Sequence, residues 1–242
     1  MKKLMTALAV CAAATLSLAD GVPSLNVVGF KSDMSVPTNY FTMLAAPFQP
    51  IGARAVPIAS LFADNTMFTA GYSISDGDSI LVWNGAGYTQ YYFSADLGGA
   101  WTLNGDDVTT DTIPVNGAFW FNRIGPALHG LTVVGEVVQT NIAAHAVANY
   151  FVMVGNPFAA ALPITSITAP DLTQGYSISD GDSILVWTGA GYTQYYFSAD
   201  LGGAWTLNGD DVTSDSIPAG GAFWFNRIGN ATTLTMPVPY SL

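Results

Sequence analysis

Cysteine is almost missing from this chain. Its 242 residues hold one, Cys11, inside an apolar run near the N-terminus. No disulfide can staple the fold, so its stability must come from packing. Histidine is nearly as scarce, with only His129 and His145. Neither stands in a His-x-Glu metal pattern or beside a cysteine nucleophile. A Ser-His-Asp arrangement would have to recruit one of them from the connector between repeats. Positive charge is short too: six Lys and Arg face 17 Asp and Glu, and every acid but Glu136 is aspartate. A net charge of −11 repels phosphate backbones, which excludes nucleic acid as a partner. Charged residues are only 10% of the chain against 50% hydrophobic, which excludes a disordered polymer.

What is present begins with an address. "MKKLMTALAVCAAATLSLAD" has two lysines, an apolar run from Leu4 to Leu18 and a small-x-small exit at Ser17-Leu18-Ala19. That is the anatomy of a secretory leader, residues 1–19, cut between Ala19 and Asp20. The run is shorter than the roughly 20 apolar residues of a membrane helix, so the mature chain is expected to carry no transmembrane segment. Val10 is bulky where a lipoprotein signal wants a small residue before Cys11, and the apolar run continues past it. The expected location is extracellular or cell-surface, with the periplasm as a second compartment. Cleavage removes Lys2, Lys3 and Cys11, leaving Lys31, Arg54, Arg123 and Arg227 as the cations.

The second feature is a duplication. Residues 71–125 and 175–229 align without a gap at an offset of 104 and differ at five positions. These are Asn84/Thr188, Thr110/Ser214, Thr112/Ser216, Val115/Ala219 and Asn116/Gly220. Upstream, "NYFTMLAAPF" (39–48) matches "NYFVMVGNPF" (149–158), "PIASLFA" (57–63) matches "PITSITA" (163–169), and "NVVGF" (26–30) matches "TVVGE" (132–136). The offsets shift between these blocks, where loops absorb insertions. A period near 106 is domain-sized and too long for a solenoid. Two tandem domains are expected, 20–138 and 139–242.

Within each copy the segments read as strands. "SILVW" and "YTQYYF" are β-branched and aromatic, and Asn84-Gly85-Ala86-Gly87 between them signals a hairpin. "AWTL" ends at Asn104-Gly105-Asp106-Asp107, a second turn. The only helical suggestion is one or two turns near Ala55–Ala63, with Pro57 at the start. Several strands are apolar on both faces, as in a sheet covered on both sides. The expected fold is all-β: two tandem, near-duplicate antiparallel β-sandwich or small-barrel domains. An outer-membrane barrel fits worse, because "SILVW" and "AFWF" do not alternate and Pro237 and Pro239 interrupt the last strand.

The segments "YFTMLAAPF", "DSILVWNGAGYTQYYF" and "IPVNGAFWFNRIGPALHGLTVVGEV" together resemble a β-rich unit repeated in exported, uncharacterised proteins of the Verrucomicrobia–Lentisphaerae group. This chain has Tyr-Phe where those units often have Gly-Trp or Gly-Phe. The resemblance implies secretion and β modules, and it brings no catalytic residues.

Two kinds of binding site remain open on the residues. Loop aspartates offer hard oxygens for calcium: Asp76, Asp78, Asp106 and Asp107, with Asp180, Asp182, Asp210 and Asp211 in the second copy. The competing reading gives these acids to turns, through their own side-chain hydrogen bonds. Aromatics flanking glycine turns offer stacking platforms for sugar rings: Tyr88, Tyr91 and Trp101, with Tyr192, Tyr195 and Trp205. Their competing role is to fill two small cores. Strand alternation sends Tyr88, Gln90 and Tyr92 to one side and Thr89, Tyr91 and Phe93 to the other. Arg123 and Arg227 are expected to pair locally with aspartate and to stack on an aromatic. The function expected is a non-catalytic exported surface or matrix protein, structural or adhesive. The alternative is a carbohydrate-binding module, calcium-assisted or not. Its partners would be extracellular polysaccharide or like surface proteins.

Overall fold

Runs of β-branched and aromatic residues separated by Gly, Asn and Asp turns fold into antiparallel strands. The computed structural model describes residues 27–108, 110–210 and 212–241, and the expected leader lies outside them. In the first unit the strands are β1 (Val28–Val36), β2 (Phe41–Ala45), β3 (Ala55–Pro57), β4 (Ser79–Trp83), β5 (Tyr88–Ser94), β6 (Ala100–Leu103), β7 (Asp106–Asp107), β8 (Thr112–Pro114), β9 (Ala118–Asn122) and β10 (Leu128–Glu136). They form a six-stranded sheet, β2-β9-β4-β5-β6-β7, and two ribbons, β1-β10 and β3-β8. The second unit repeats this with β11 (Ile142–Ala146), β12 (Phe151–Gly155), β13 (Leu162–Pro163), β14 (Ser183–Trp187), β15 (Tyr192–Ser198), β16 (Ala204–Thr206), β17 (Ser216–Ile217), β18 (Ala222–Asn226) and β19 (Thr232–Met236). Its main sheet is β12-β18-β14-β15-β16, with ribbons β11-β19 and β13-β17. The counterpart of β7 shrinks to a single bridge, Leu207 to Asp210.

Both units are all-β and antiparallel, as the sequence implies. The helical suggestion near Ala55–Ala63 resolves into strand β3 and one 3₁₀ turn at Ile58–Ser60, with its copy at Ile164–Ser166. One upstream match is corrected. "NVVGF" and "TVVGE" are not equivalent positions of two units; they belong to partner strands of one unit, with Val28 opposite Glu136 and Gly29 opposite Gly135. Among the described residues, no helix is long and apolar enough to cross a membrane.

Alternation sorts each strand. Ile80, Tyr91, Phe93, Trp101, Phe119 and Phe121 point inward and pack with Leu128, Leu131 and Val133 of β10 in one apolar cluster. The second unit has the equivalent core around Ile184, Tyr195, Trp205, Phe223 and Phe225. The other face of each main sheet is also apolar, for a reason invisible in either unit alone. Met43, Ala45, Ala118 and Trp120 of the first sheet form a third cluster with Met153 and Ala222 of the second. The two sheets are packed outer face to outer face.

The contacts across this junction come in reciprocal pairs. Tyr40 stacks on Trp187 at 6.3 Å and Tyr150 on Trp83 at 6.4 Å. Trp120 meets Trp187 edge-on at 5.4 Å, and Trp224 meets Trp83 edge-on at 5.5 Å. The Ala45 N–H donates to the Gly220 carbonyl at 2.8 Å, and the Gly155 N–H to Asn116 at 2.9 Å. Reciprocity of this kind is the mark of a two-fold interface, here built within one chain. Two of the five differing positions lie on it and break its symmetry. Val115 joins the apolar cluster of the second unit, and the Asn116 amide donates to the Ala143 carbonyl at 3.2 Å.

The two cores treat one matched tryptophan pair differently. Trp205 Nε1 donates to the Ile167 carbonyl at 2.8 Å, whereas Trp101 Nε1 is buried without a partner among the described residues. Tryptophan to phenylalanine removes the same atoms at both sites. Trp205→Phe is expected to cost more than Trp101→Phe by about 1 kcal/mol, since only one loses a satisfied bond. Urea unfolding of the two variants measures the difference; equal losses would contradict it.

Candidate functional site

The repeated "GYSISDGD" builds a loop before β4 in which every acid has a structural task. Gly71 and Gly77 cross backbone to backbone. A Cβ on Gly71 would lie 2.7 Å from the Gly77 Cα and closer still to its nitrogen, so only glycine fits. The Gly71 N–H donates to Phe93 and the Gly71 carbonyl accepts from Ala95, tying the loop along β5. Asp76 clamps the tip: its carboxylate accepts from the Tyr72 N–H at 3.1 Å, the Ser73 N–H at 2.8 Å and the Ser73 hydroxyl at 2.6 Å. Asp78 turns inward, fully buried, and accepts from the Thr69 N–H at 2.9 Å and the Ile124 N–H at 2.7 Å. It also pairs with Arg123, itself buried, from the end of β9. Asp180, Asp182 and Arg227 repeat these roles.

For Asp76, Asp78, Asp180 and Asp182 the calcium expectation is therefore corrected. Asp76 and Asp78, two residues apart, leave the loop in different directions, one to solvent and one to an arginine. Asp180 and Asp182 do the same. Asp106 and Asp210 are exposed at hairpin turns, where the Thr102 and Thr206 hydroxyls take their backbone carbonyls at 2.8 Å. The Asp107 side chain and Asp211 lie outside the described residues. Among the described residues, no group of three His, Cys, Asp or Glu side chains is placed to hold a metal.

Four of the six platform candidates are also corrected. Tyr91, Trp101, Tyr195 and Trp205 are at most 7% exposed and belong to the cores. Their rings sit on the inner face because β5 and β15 alternate with period two. Burial pushes the Tyr91 and Tyr195 hydroxyls up to about 12, helped by hydrogen bonds to Asp111 and Asp215. Tyr88 and Tyr192 stand on the outer face. Burial beside the junction raises both, and Trp120 Nε1 donates to the Tyr88 hydroxyl at 3.2 Å.

The outer face of each sheet is only partly covered by the other unit. Beyond the junction it forms an open groove of about 560 Å³ lined by Tyr72, Ile74, Tyr88, Gln90, Tyr92 and Asn104, and the second copy is about 660 Å³. Tyr72 hangs over it from the clamped loop, 71% exposed, and Tyr176 is 69% exposed in the copy. Asn104 holds a left-handed conformation, φ 55°, in the tight β6–β7 turn, as the Asn-Gly pair demands. Among the described residues, no acid or base lines either groove, in a chain otherwise strongly acidic. Two further hollows flank the junction. One, about 540 Å³, lies among Tyr40, Phe41, Tyr88, Trp120, Trp187 and Tyr192; its two-fold mate, about 360 Å³, lies among Trp83, Tyr88, Tyr150, Phe151, Tyr192 and Trp224.

Tyr72 and Tyr176 escaped the platform set drawn from sequence. Their signal was the neighbouring Ser-x-Ser-Asp, which reads as a side-chain-clamped loop able to hold a ring in solvent. His129 and His145, placed by sequence in a connector, stand exposed on β10 and β11.

The Asp76 clamp makes the loop acid-sensitive. Hydrogen bonds from Ser73 and from the Tyr72 amide hold its carboxyl below the ordinary 3.8, and Asp180 is lowered by the same partners in its copy. A depressed folded value gives stability that is present above the ordinary aspartate value and lost as pH falls through the lowered one. Asp78 has the opposite sign: burial raises its carboxyl against the pull of Ile124, Thr69 and Arg123, so it does not add to acid lability. Amide exchange, corrected for its intrinsic pH dependence, should lose protection at Tyr72, Ser73, Tyr176 and Ser177 below about pH 3.8 while the β4 and β9 amides stay protected. Simultaneous loss in loop and sheet would refute the clamp.

No protein-family model, curated protein or solved structure matches the chain.

Proposed function

We propose that the protein is a non-catalytic, exported surface or matrix protein that adheres to neutral glycan through two equivalent grooves. The observation that carries this reading is the uncharged, tyrosine-lined groove under Tyr72, built again under Tyr176. A sugar ring offers an apolar C–H face and a rim of hydroxyls. The exposed tyrosines supply flat faces, and Gln90 and Asn104 supply both a donor and an acceptor for hydroxyls. Ionic ligands would find no charged partner there among the described residues. The buried carboxylates Asp78 and Asp182 are each matched by an arginine, which suits scaffold rather than acid–base chemistry. The leader-like N-terminus and the likeness to repeat units of exported proteins support secretion. Duplication within one chain suits attachment, where two weak sites gain through effective concentration.

Affinity electrophoresis through gels containing cellulose derivative, xylan, mannan or α-glucan tests the reading. At least one polymer should retard the protein, and Tyr72→Ala with Tyr176→Ala should abolish the retardation while leaving the unfolding transition in place. A protein that runs freely in every gel, or a double variant retarded as strongly as the parent, would refute it.

A further inference from the structure

We infer that the two grooves and the junction hollows are one continuous track, occupied by a single glycan chain that crosses from the first unit to the second. This rests on the glycan reading of the grooves and deepens it. The connection is made by two residues. Tyr88 borders the first groove and both junction hollows; Tyr192 borders the second groove and the same two hollows. Each groove therefore adjoins both hollows across a single tyrosine ring.

Strand register explains the continuity. Trp83 lies opposite Tyr88, Leu81 opposite Gln90 and Ser79 opposite Tyr92, so all share the outer face of one sheet. The Trp83 end of that face enters the junction, and the Tyr92 end forms the groove floor. The same holds for Trp187, Tyr192, Gln194 and Tyr196 in the second sheet. The groove is the uncovered continuation of the surface that already binds the units to each other.

The junction also keeps the track a single rigid object. The stacked and edge-on pairs around Trp83 and Trp187 hold the rings that wall the hollows, so no ordering cost falls on these side chains when a ligand arrives. Two-fold symmetry presents the two grooves to one chain in opposite directions. Ring stacking tolerates that reversal because both directions offer the same ring face, whereas a dense hydrogen-bond code would not. The described lining is tyrosine in the grooves and tyrosine with tryptophan in the hollows, and each groove adds one serine, one threonine and two amides, a sparse polar set that suits a bidirectional site.

Calorimetric titration with cello-, xylo- and manno-oligosaccharides of increasing length decides it. Short oligosaccharides should bind two per protein. Beyond the length that spans the junction, stoichiometry should fall to one per protein and affinity should rise about tenfold or more, as expected when a second contact becomes intramolecular. Tyr72→Ala should weaken the long ligand and keep it at one per protein. Two per protein at every length, with affinity flat beyond the short ligands, would overturn the track and leave the two-groove adhesive reading standing. No binding of any oligosaccharide would overturn both.

Discussion

Asp78→Ala is expected to destabilise the first unit by about 3–5 kcal/mol, because it leaves a buried guanidinium without its charge partner. Arg123 has a side chain 5% exposed, and its remaining bonds go to the Pro126 and Met67 carbonyls, which cannot neutralise it. The substitution also strips the acceptor from the Thr69 and Ile124 amides, which anchor the loop and the end of β9. Asp182→Ala removes the same atoms from the second unit and should cost less. Arg227 keeps a second carboxylate there, Asp171 at 2.9 Å, which in turn accepts from the Thr232 hydroxyl. Urea denaturation of the two single variants measures both losses. An Asp182→Ala penalty equal to or larger than that of Asp78→Ala would show that Asp171 does not substitute. Adding Arg123→Leu to Asp78→Ala should recover part of the loss, since no unpaired charge then remains buried.

Gly155→Val should force the two units apart. A Cβ at Gly155 would lie 2.7 Å from the Gly117 carbonyl oxygen and closer still to the Ala45 methyl group. Neither neighbour can withdraw: the Gly117 N–H is bonded back to Pro114, and Ala45 is pinned by its bond to Gly220. Overpacking of this kind costs about 1–3 kcal/mol, and the sheets can escape it by separating. Trp83, Trp120, Trp187 and Trp224 stand around the junction, so opening it should red-shift tryptophan fluorescence and raise the radius of gyration in small-angle scattering. The cores around Ile80 and Ile184 lie on the opposite sheet faces and should keep their amide protection. A long oligosaccharide should then lose its affinity gain over a short one. A compact scattering profile with unchanged fluorescence would show that the junction tolerates the side chain.

How much of this was legible before the tertiary structure depends on the residue. The hairpin at Asn84-Gly85-Ala86-Gly87 and the turn at Asn104-Gly105 follow from local conformational preference, and the strands formed on either side of them. The pairing of Arg123 with an aspartate was expected to be local and is not: its partner Asp78 lies 45 residues away, a distance no local rule spans. The aromatic candidates divided along strand parity. Period-two alternation on "YTQYYF" separates Tyr88 and Tyr92 from Tyr91, but alternation alone cannot say which side meets the core.

The sequence by itself determined the strand content, the duplication and the two-sided aromatic character of each sheet. Those properties depend on φ/ψ preference and on spacing along the chain, both local. Only the tertiary structure decided what covers the second face of each sheet. That outcome depends on close approach at Gly155 and Ala45 and on reciprocal contacts of Trp83 and Trp187, groups separated by most of a repeat or more. The same packing decided where each covered face stops, and so where Tyr72 and Tyr176 are left standing over an open groove. Burial is a property of what arrives from elsewhere in the chain, and composition carries no record of it.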